Sequence, residues 1–210
     1  MHPLKKQNQS QAVSLPRVRA AGTVRIIAGK WRRTPLPVSD LNGLRPTGDR
    51  VRETLFNWLN HFLGDFSEIE GLDLFAGSGA LGFELASRGA DSVTLIEKNR
   101  AAYTKLCAVR DKLNAGDILN IQCGDCLTIL STTDKKFDII FIDPPFALNL
   151  HEKAVNIALS HLKSNGFLYI EAPKEWDAQV LTDLQLSVVR QSNAGAVTFR
   201  LATKTQQDSL

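Results

Sequence analysis

Asp143, Pro144, Pro145 and Phe146 follow directly on the apolar run Phe137-Asp138-Ile139-Ile140-Phe141-Ile142, which reads as a buried strand. Two successive prolines remove two backbone donors and bar the helical conformation for the residue before each, so the carbonyls of Asp143 and Pro144 are left outside any ladder. They can accept from a ligand. A carboxylate, a carbonyl and an aromatic face this close together suit a planar base bearing an exocyclic amino group. Asp143, Pro144, Pro145 and Phe146 are therefore the candidate catalytic residues, against the plainer reading of a strand closed by a proline turn.

A second constellation lies upstream. Residues Gly71 to Gly82 run from a strand through glycines into a helix, where missing side chains let backbone amides approach a ligand. Gly77, Gly79 and Gly82 satisfy GxGxxG, and Glu97 ends the next strand at the distance where dinucleotide enzymes hold a ribose diol. Taken alone, this spacing supports a nicotinamide or flavin dinucleotide site. Asp73 argues against it, because a carboxylate just before the turn would repel a pyrophosphate and favour a ligand with an ammonium and a sulfonium. S-adenosylmethionine carries both. Its ribose would use Glu97, and its adenine would use Asp125 with the backbone of Cys126. Asp125 equally reads as the N-cap of a helix over 126–130. Phe75, Ser78 and Lys98 complete the candidate cofactor-binding set.

These residues need a sheet to position them. Strands are expected near 71–75, 92–97, 118–122, 137–142, 166–171, 184–190 and 195–202, with a helix after each of the first five. Such alternation argues for an α/β fold, a mostly parallel sheet with helices on both faces. The last two strands are separated by too few residues for a parallel crossover, so they should pair antiparallel. That distinguishes the chain from an all-parallel dinucleotide fold. Upstream, β-forming residues 23–28 and 31–36 flank Gly29-Lys30 and predict a small hairpin, with Pro35 and Pro37 confining its second strand to an edge. A helix follows Pro46, with Thr47 as N-cap, an apolar stripe through Val51, Leu55, Trp58, Leu59 and Phe62, and Gly64 as its stop. Arg50, Arg52 and Asn57 fall off the stripe.

Charge is uneven along the chain. The net charge is +3, yet residues 1–52 hold 11 Lys or Arg against only Asp40 and Asp49. A basic arm on a mildly acidic body is the footprint of a polyphosphate partner. Residues 1–21 are expected to be a disordered basic tail and residues 22–46 an RNA-binding extension. Arg25, Lys30, Arg32, Arg33, Arg45 and Arg50 are the candidate substrate-binding residues; Lys174 and Arg200 are further candidates for phosphate contacts. No run is long and apolar enough for a membrane span or signal peptide, and three cysteines are too few for a disulfide scaffold. A cytoplasmic protein is expected, without a metal. The Cys123-x-x-Cys126 pair lacks a second ligand pair nearby. His151, His161, Tyr169 and Trp176 read as packing or surface residues, and Glu171 as a strand-end carboxylate able to face a base.

With these residues in view, the chain resembles the class I S-adenosylmethionine-dependent methyltransferases, and more narrowly the bacterial 16S ribosomal RNA guanine-N2 methyltransferases. The resemblance spans nearly all of residues 22–202. It rests on Arg25-Ile26-Ile27-Ala28-Gly29-Lys30-Trp31-Arg32, on the segment Leu44 to Phe56, on Asp73 to Gly82, and on Asp143 to Phe146. Gly48 departs from the threonine expected there. The resemblance implies a Rossmann-like, seven-stranded methyltransferase domain over 47–210, with a flipped guanine of 16S rRNA as substrate. The rRNA would be free or within an assembled small subunit, and the enzyme a monomer. An adenine-N6 methyltransferase acting on DNA or RNA, a nucleotide-binding dehydrogenase and a non-catalytic RNA-binding module are the alternatives.

Overall fold

The computed structural model describes residues 24–37, 48–145, 150–174, 176 and 178–205. Arg45, Thr47, Phe146 and the basic tail lie outside the described residues.

Two very short strands, β1 (Val24–Arg25) and β2 (Pro35–Leu36), form an antiparallel ribbon. Helix α1 (Asp49–Leu63) follows. Alternating elements then build the main sheet: β3 (Glu70–Asp73), α2 (Ala80–Ser87), β4 (Ser92–Glu97), α3 (Arg100–Lys112), β5 (Leu119–Cys123), α4 (Cys126–Leu130), β6 (Phe137–Ile142), α5 (His151–Ser160), β7 (Leu162–Pro173), α6 (Ala178–Asp183), β8 (Leu186–Ala194) and β9 (Val197–Lys204). The seven strands lie in the order β5-β4-β3-β6-β7-β9-β8. The first five are parallel, and β9 pairs antiparallel with both β7 and β8. The expected mixed sheet with a terminal hairpin is thus present.

Alternation along the strands assigns the two faces. Ile139, Phe141 and Tyr169 pack with α1, α2 and α3, whereas Ile140, Ile142, Leu168 and Ile170 pack with α4, α5 and α6. Helix α1 lies across the first face: Phe56 meets Phe141 at 6.2 Å, Trp58 stacks on Phe199 at 5.3 Å, and Phe62 meets Phe167 at 5.3 Å. It therefore runs from the C-terminal edge of the parallel strands towards their N-terminal edge. Gly64 ends it as expected, at φ 75 with its N–H on the Asn60 carbonyl.

Three local expectations change. The ribbon's strands hold two residues each, because the chain makes a wide turn from Ala28 to Arg33 instead of a tight one at Gly29-Lys30. Strand β7 begins at Leu162, since Leu162 already pairs with Phe137 before the register shift towards Ile139 and Phe167. Arg52, expected off the apolar stripe of α1, is completely buried.

That burial is explained by Glu84, a fully buried acid in a helix whose eight residues are all buried. Its carboxylate accepts from the ribbon at Ile27 N–H (2.6 Å) and Ala28 N–H (3.0 Å). It also pairs with Arg88 Nε at 2.8 Å and Arg52 Nη1 at 3.7 Å. Arg52 Nη2 in turn donates to Asp49 Oδ1 and to the Arg25 carbonyl. At the ribbon's tip, Lys30 N–H donates to the Ser87 carbonyl and Trp31 N–H to Ser87 Oγ. Gly29, at φ +80, is so close that an added Cβ would overlap the Ser87 carbonyl, so only glycine fits.

Removing one member of a buried ionic cluster strands the others, at a typical cost of about 3–5 kcal/mol. Glu84→Ala is expected to lose stability in that range, measured by urea unfolding, and to make residues 24–37 sensitive to protease. A cost below about 1 kcal/mol would mean that the ribbon is anchored elsewhere.

Candidate active site

Five neighbouring parallel strands each carry a carboxylate at or just beyond the C-terminal end. In spatial order these are Asp125 after β5, Glu97 on β4, Asp73 on β3, Asp143 after β6 and Glu171 on β7. At about 4.8 Å per strand the row spans on the order of 20 Å. Asp73 and Glu97 lie in strand-face parity with Gly71 and Leu95, and Asp143 and Glu171 with Phe141 and Tyr169, all on the α1–α3 side. The C-terminal edge of an open α/β sheet is where such folds bind ligands.

The loop between β3 and α2 sits at the middle of the row. Gly79 adopts φ 78 at the N-cap of α2, a left-handed conformation that side-chain residues rarely accept. Gly79 N–H closes the turn onto the Ala76 carbonyl, and Ala76 N–H donates to the Ile96 carbonyl on β4. Gly77 N–H donates to Glu97 Oε2 at 2.8 Å, while Glu97 Oε1 takes Asn99 N–H at 2.6 Å. The two chain segments are thereby locked together, and the half-buried carboxylate retains lone pairs for a ligand. Gly82 serves packing: an added Cβ would meet Leu95 at 2.7 Å, and its N–H donates to Asp73 Oδ2 at 3.1 Å. Phe75 and Ser78 are half-buried beside the loop.

Asp73 is the most perturbed of these groups. It is 3% exposed, and burial pushes its carboxyl up to about 7, against the lowering effect of the Gly82 and Phe75 amides, with the Glu97 charge adding to the rise. Asp125 behaves oppositely. The Lys98 ammonium, 3.1 Å from Oδ2, holds it below the usual carboxylate range, and Oδ1 caps α4 by accepting from Leu127 and Thr128 N–H. A ligand reaching Oδ2 would displace Lys98, an exposed partner that gives way easily. Cys126 points into the core, where burial pushes its thiol up to about 11, leaving only its backbone for a ligand. No group of residues that could hold a metal occurs among the described residues.

On the other side of Asp73, Pro144 is buried and Asp143 and Pro145 are half-buried. The Tyr169 hydroxyl donates to Glu171 Oε1 at 2.7 Å, and Glu171 itself is 7% exposed. Burial, followed by the Glu171 and Asp143 charges, raises the Tyr169 phenol well above its ordinary value, so it keeps its proton. His151 Nε2 lies 3.1 Å from the Glu171 carbonyl, which fixes Nε2 as the protonated nitrogen; burial keeps the ring neutral. Arg200 is buried, with Nε on Gln191 and Nη2 on the Trp176 carbonyl, which removes it from phosphate binding.

The expected basic residues divide between the two ends of α2. Arg25, Lys30, Arg32, Arg33 and Arg50 are all exposed. Arg25 and Arg50 lie near the start of α1, with Arg25 Nε 3.7 Å from Asp49. Lys30 sits at the far end of α2, about 11 Å along its axis from the glycine loop. Sequence reasoning missed Arg52 and Glu84. The available signal was a single acid in the otherwise apolar helix segment Ala80 to Ala86.

The sheet order and the loop at its switch point define a Rossmann-like class I methyltransferase fold. A solved Escherichia coli structure described as a methyltransferase candidate superposes with TM-score 0.74 at 38% identity, covering 89% of this chain and all of that one. The family profile "Conserved hypothetical protein 95" matches residues 24–203. Two curated relatives are named ribosomal RNA small subunit methyltransferase D. The Haemophilus influenzae protein is 40% identical over 87% of this chain and 94% of its own length. The Escherichia coli protein is 40% identical over 91% and 96%. The chain belongs to this family.

An unfolded aspartate titrates near 3.8 and Asp73 in the folded chain near 7, so between those values the folded state holds one extra proton. Asp73 therefore contributes stability that is full below about pH 4 and lost as pH rises through 7, on the order of 4 kcal/mol. Asp73→Asn is expected to flatten this dependence and to unfold at higher urea than the parent at pH 8, with little difference at pH 4. Parallel curves for the two proteins would place the titration elsewhere.

Proposed function

We propose that this protein transfers a methyl group from S-adenosylmethionine to the exocyclic N2 of a guanine in 16S ribosomal RNA, free or within an assembled small subunit. The observation that carries the reading is the placement of Asp143-Pro144-Pro145 beside Asp73 and its glycine loop, on adjacent strands β6 and β3. Membership of a family whose relatives are named for rRNA methylation supports the substrate. Residues 22–46 serve as the RNA-binding extension and 47–210 as the catalytic part of a cytoplasmic monomer. No helix among the described residues is long and apolar enough to cross a membrane.

The donor set fits the cofactor. Asp73, Glu97 and Asp125 offer acceptors to an ammonium, a ribose diol and an adenine amino group, whereas a pyrophosphate would meet three carboxylates. When bound, S-adenosylmethionine supplies an electrophilic methyl on a sulfonium. The chain's residues prepare the nucleophile. A guanine amino nitrogen is weak because its lone pair is delocalised into the ring. Asp143 and the Pro144 carbonyl accept its two hydrogens and hold it in a geometry that frees the pair, and Phe146 stacks on the extruded base. Asp143 or water would accept the proton that N2 loses on taking the methyl, the bonding electrons of the methyl staying with the cofactor's sulfur. Much of the acceleration comes from in-line placement.

Asp143→Ala is expected to reduce methyl transfer at least about a thousandfold while leaving cofactor affinity within about threefold, by radiolabel transfer and calorimetry. Substantial turnover in the variant would remove Asp143 from the mechanism. Exchanging Arg25, Arg32 and Arg33 together for Gln is expected to weaken rRNA binding and to lower the slope of log affinity against log salt by about two to three. An unchanged slope would put the phosphate contacts elsewhere.

A further inference from the structure

Glu171 is a buried carboxylate for which the methyl transfer derived above has no use. It follows Ile170 on β7 as Asp143 follows Ile142 on β6, and Ile142 and Ile170 are register partners. The two acids therefore emerge side by side, about 4.8 Å apart between strands, on the face that carries Phe141 and Tyr169. The side chain of Glu171 is held by a hydroxyl that is itself fixed. Tyr169 donates to Oε1 at 2.7 Å, and the Tyr169 ring is wedged between Phe141 at 6.1 Å and Phe199 at 6.4 Å. His151 holds the carbonyl of the same residue. Such fixing suits recognition, where an acceptor must stay put.

The chemistry of the base says what a second carboxylate there would read. Guanine presents three N–H groups on one edge, ring N1–H and the two hydrogens of N2. Adenine presents two, beside a ring N1 that accepts. Asp143 and the Pro144 carbonyl account for the amino hydrogens and leave N1–H needing an acceptor on the neighbouring strand.

We propose that Glu171 selects guanine by accepting N1–H, with Tyr169 as the positioning residue that fixes its carboxylate. The inference rests on the guanine-N2 reading and deepens it. Adenine would set its N1 lone pair against the carboxylate, leaving two buried acceptors facing each other, and sites built on hydrogen bonds reject such mismatches strongly.

The test separates the reacting amine from N1–H. The position methylated by the parent enzyme in small ribosomal subunits is first mapped by nucleoside mass spectrometry. Subunits are then reconstituted with guanosine or 2-aminopurine riboside there, the latter keeping the amino group but lacking N1–H. The parent is expected to prefer guanosine by on the order of 10²–10³-fold in kcat/KM. Glu171→Gln, whose amide can present either a donor or an acceptor, is expected to narrow this ratio to about tenfold or less, with S-adenosylmethionine binding retained by calorimetry. Tyr169→Phe removes one hydroxyl from an unchanged ring and is expected to give an intermediate ratio. It carries the test if Glu171→Gln does not fold. A parent that uses both bases equally, or variants with the parent's ratio, would overturn the role of Glu171. Absence of N2-methylguanosine from the parent's own product would instead overturn the guanine reading beneath it.

Discussion

The buried carboxylate of Glu84 is the point on which the first face of the sheet depends. It satisfies two amides of the ribbon and neutralises Arg88 and Arg52, and Arg52 reaches on to Asp49 and the Arg25 carbonyl. Ribbon, α1 and α2 therefore share one charge cluster of three guanidiniums, Arg25, Arg52 and Arg88, and two carboxylates, Asp49 and Glu84. Its geometry is not ideal: Arg52 Nε and Nη1 make no hydrogen bond. A buried ion pair with such gaps is a poor source of stability compared with apolar packing. Its value lies in register, because charges at fixed places on three elements admit one docking. The apolar contacts of Val24, Ile26, Trp31 and Leu36 with the same core would tolerate sliding; the ionic cluster does not.

The row of strand-end acids shows the opposite trade. Glu97 and Asp125 are tied up by amides and a lysine, so they cost the fold little. Asp73 is buried in a position where its charge is unwelcome, and the fold carries that penalty at neutral pH. A carboxylate kept near its titration point, against helix α2 and beside a loop held by backbone hydrogen bonds, is poised to ionise when a cation arrives. Polar groups set in place before a ligand binds do not have to be reorganised afterwards.

Much of this was legible in the chain. The strands, the alternating helices and the terminal hairpin follow from local periodicity and short connections, which depend on neighbours in sequence. The candidate site could be proposed for a related reason: glycines before a helix and prolines after a strand have few physical uses, so their placement narrows the chemistry. What could not be read were pairings between distant residues. Arg52 looks like a solvent-facing arginine from its helix phase, and only Glu84 makes its burial tolerable. Gly82 reads as part of a ligand loop but makes room for Leu95. Tyr169 reads as packing, and its hydroxyl acquires meaning only from Glu171, two residues along the same strand face.

The anchoring of the ribbon has a consequence for how the chain is made. Its hydrogen bonds to Glu84 and Ser87 join residues 56 to 59 positions apart. During synthesis at about 5–20 residues per second, the ribbon is made several seconds before its partners. Until α2 has been made and packed, two strands of two residues have nothing to hold them. The earliest described residues to be translated are thus bound to be late to fold. For those seconds the nascent enzyme trails a flexible cationic segment beside the ribosome that is making it.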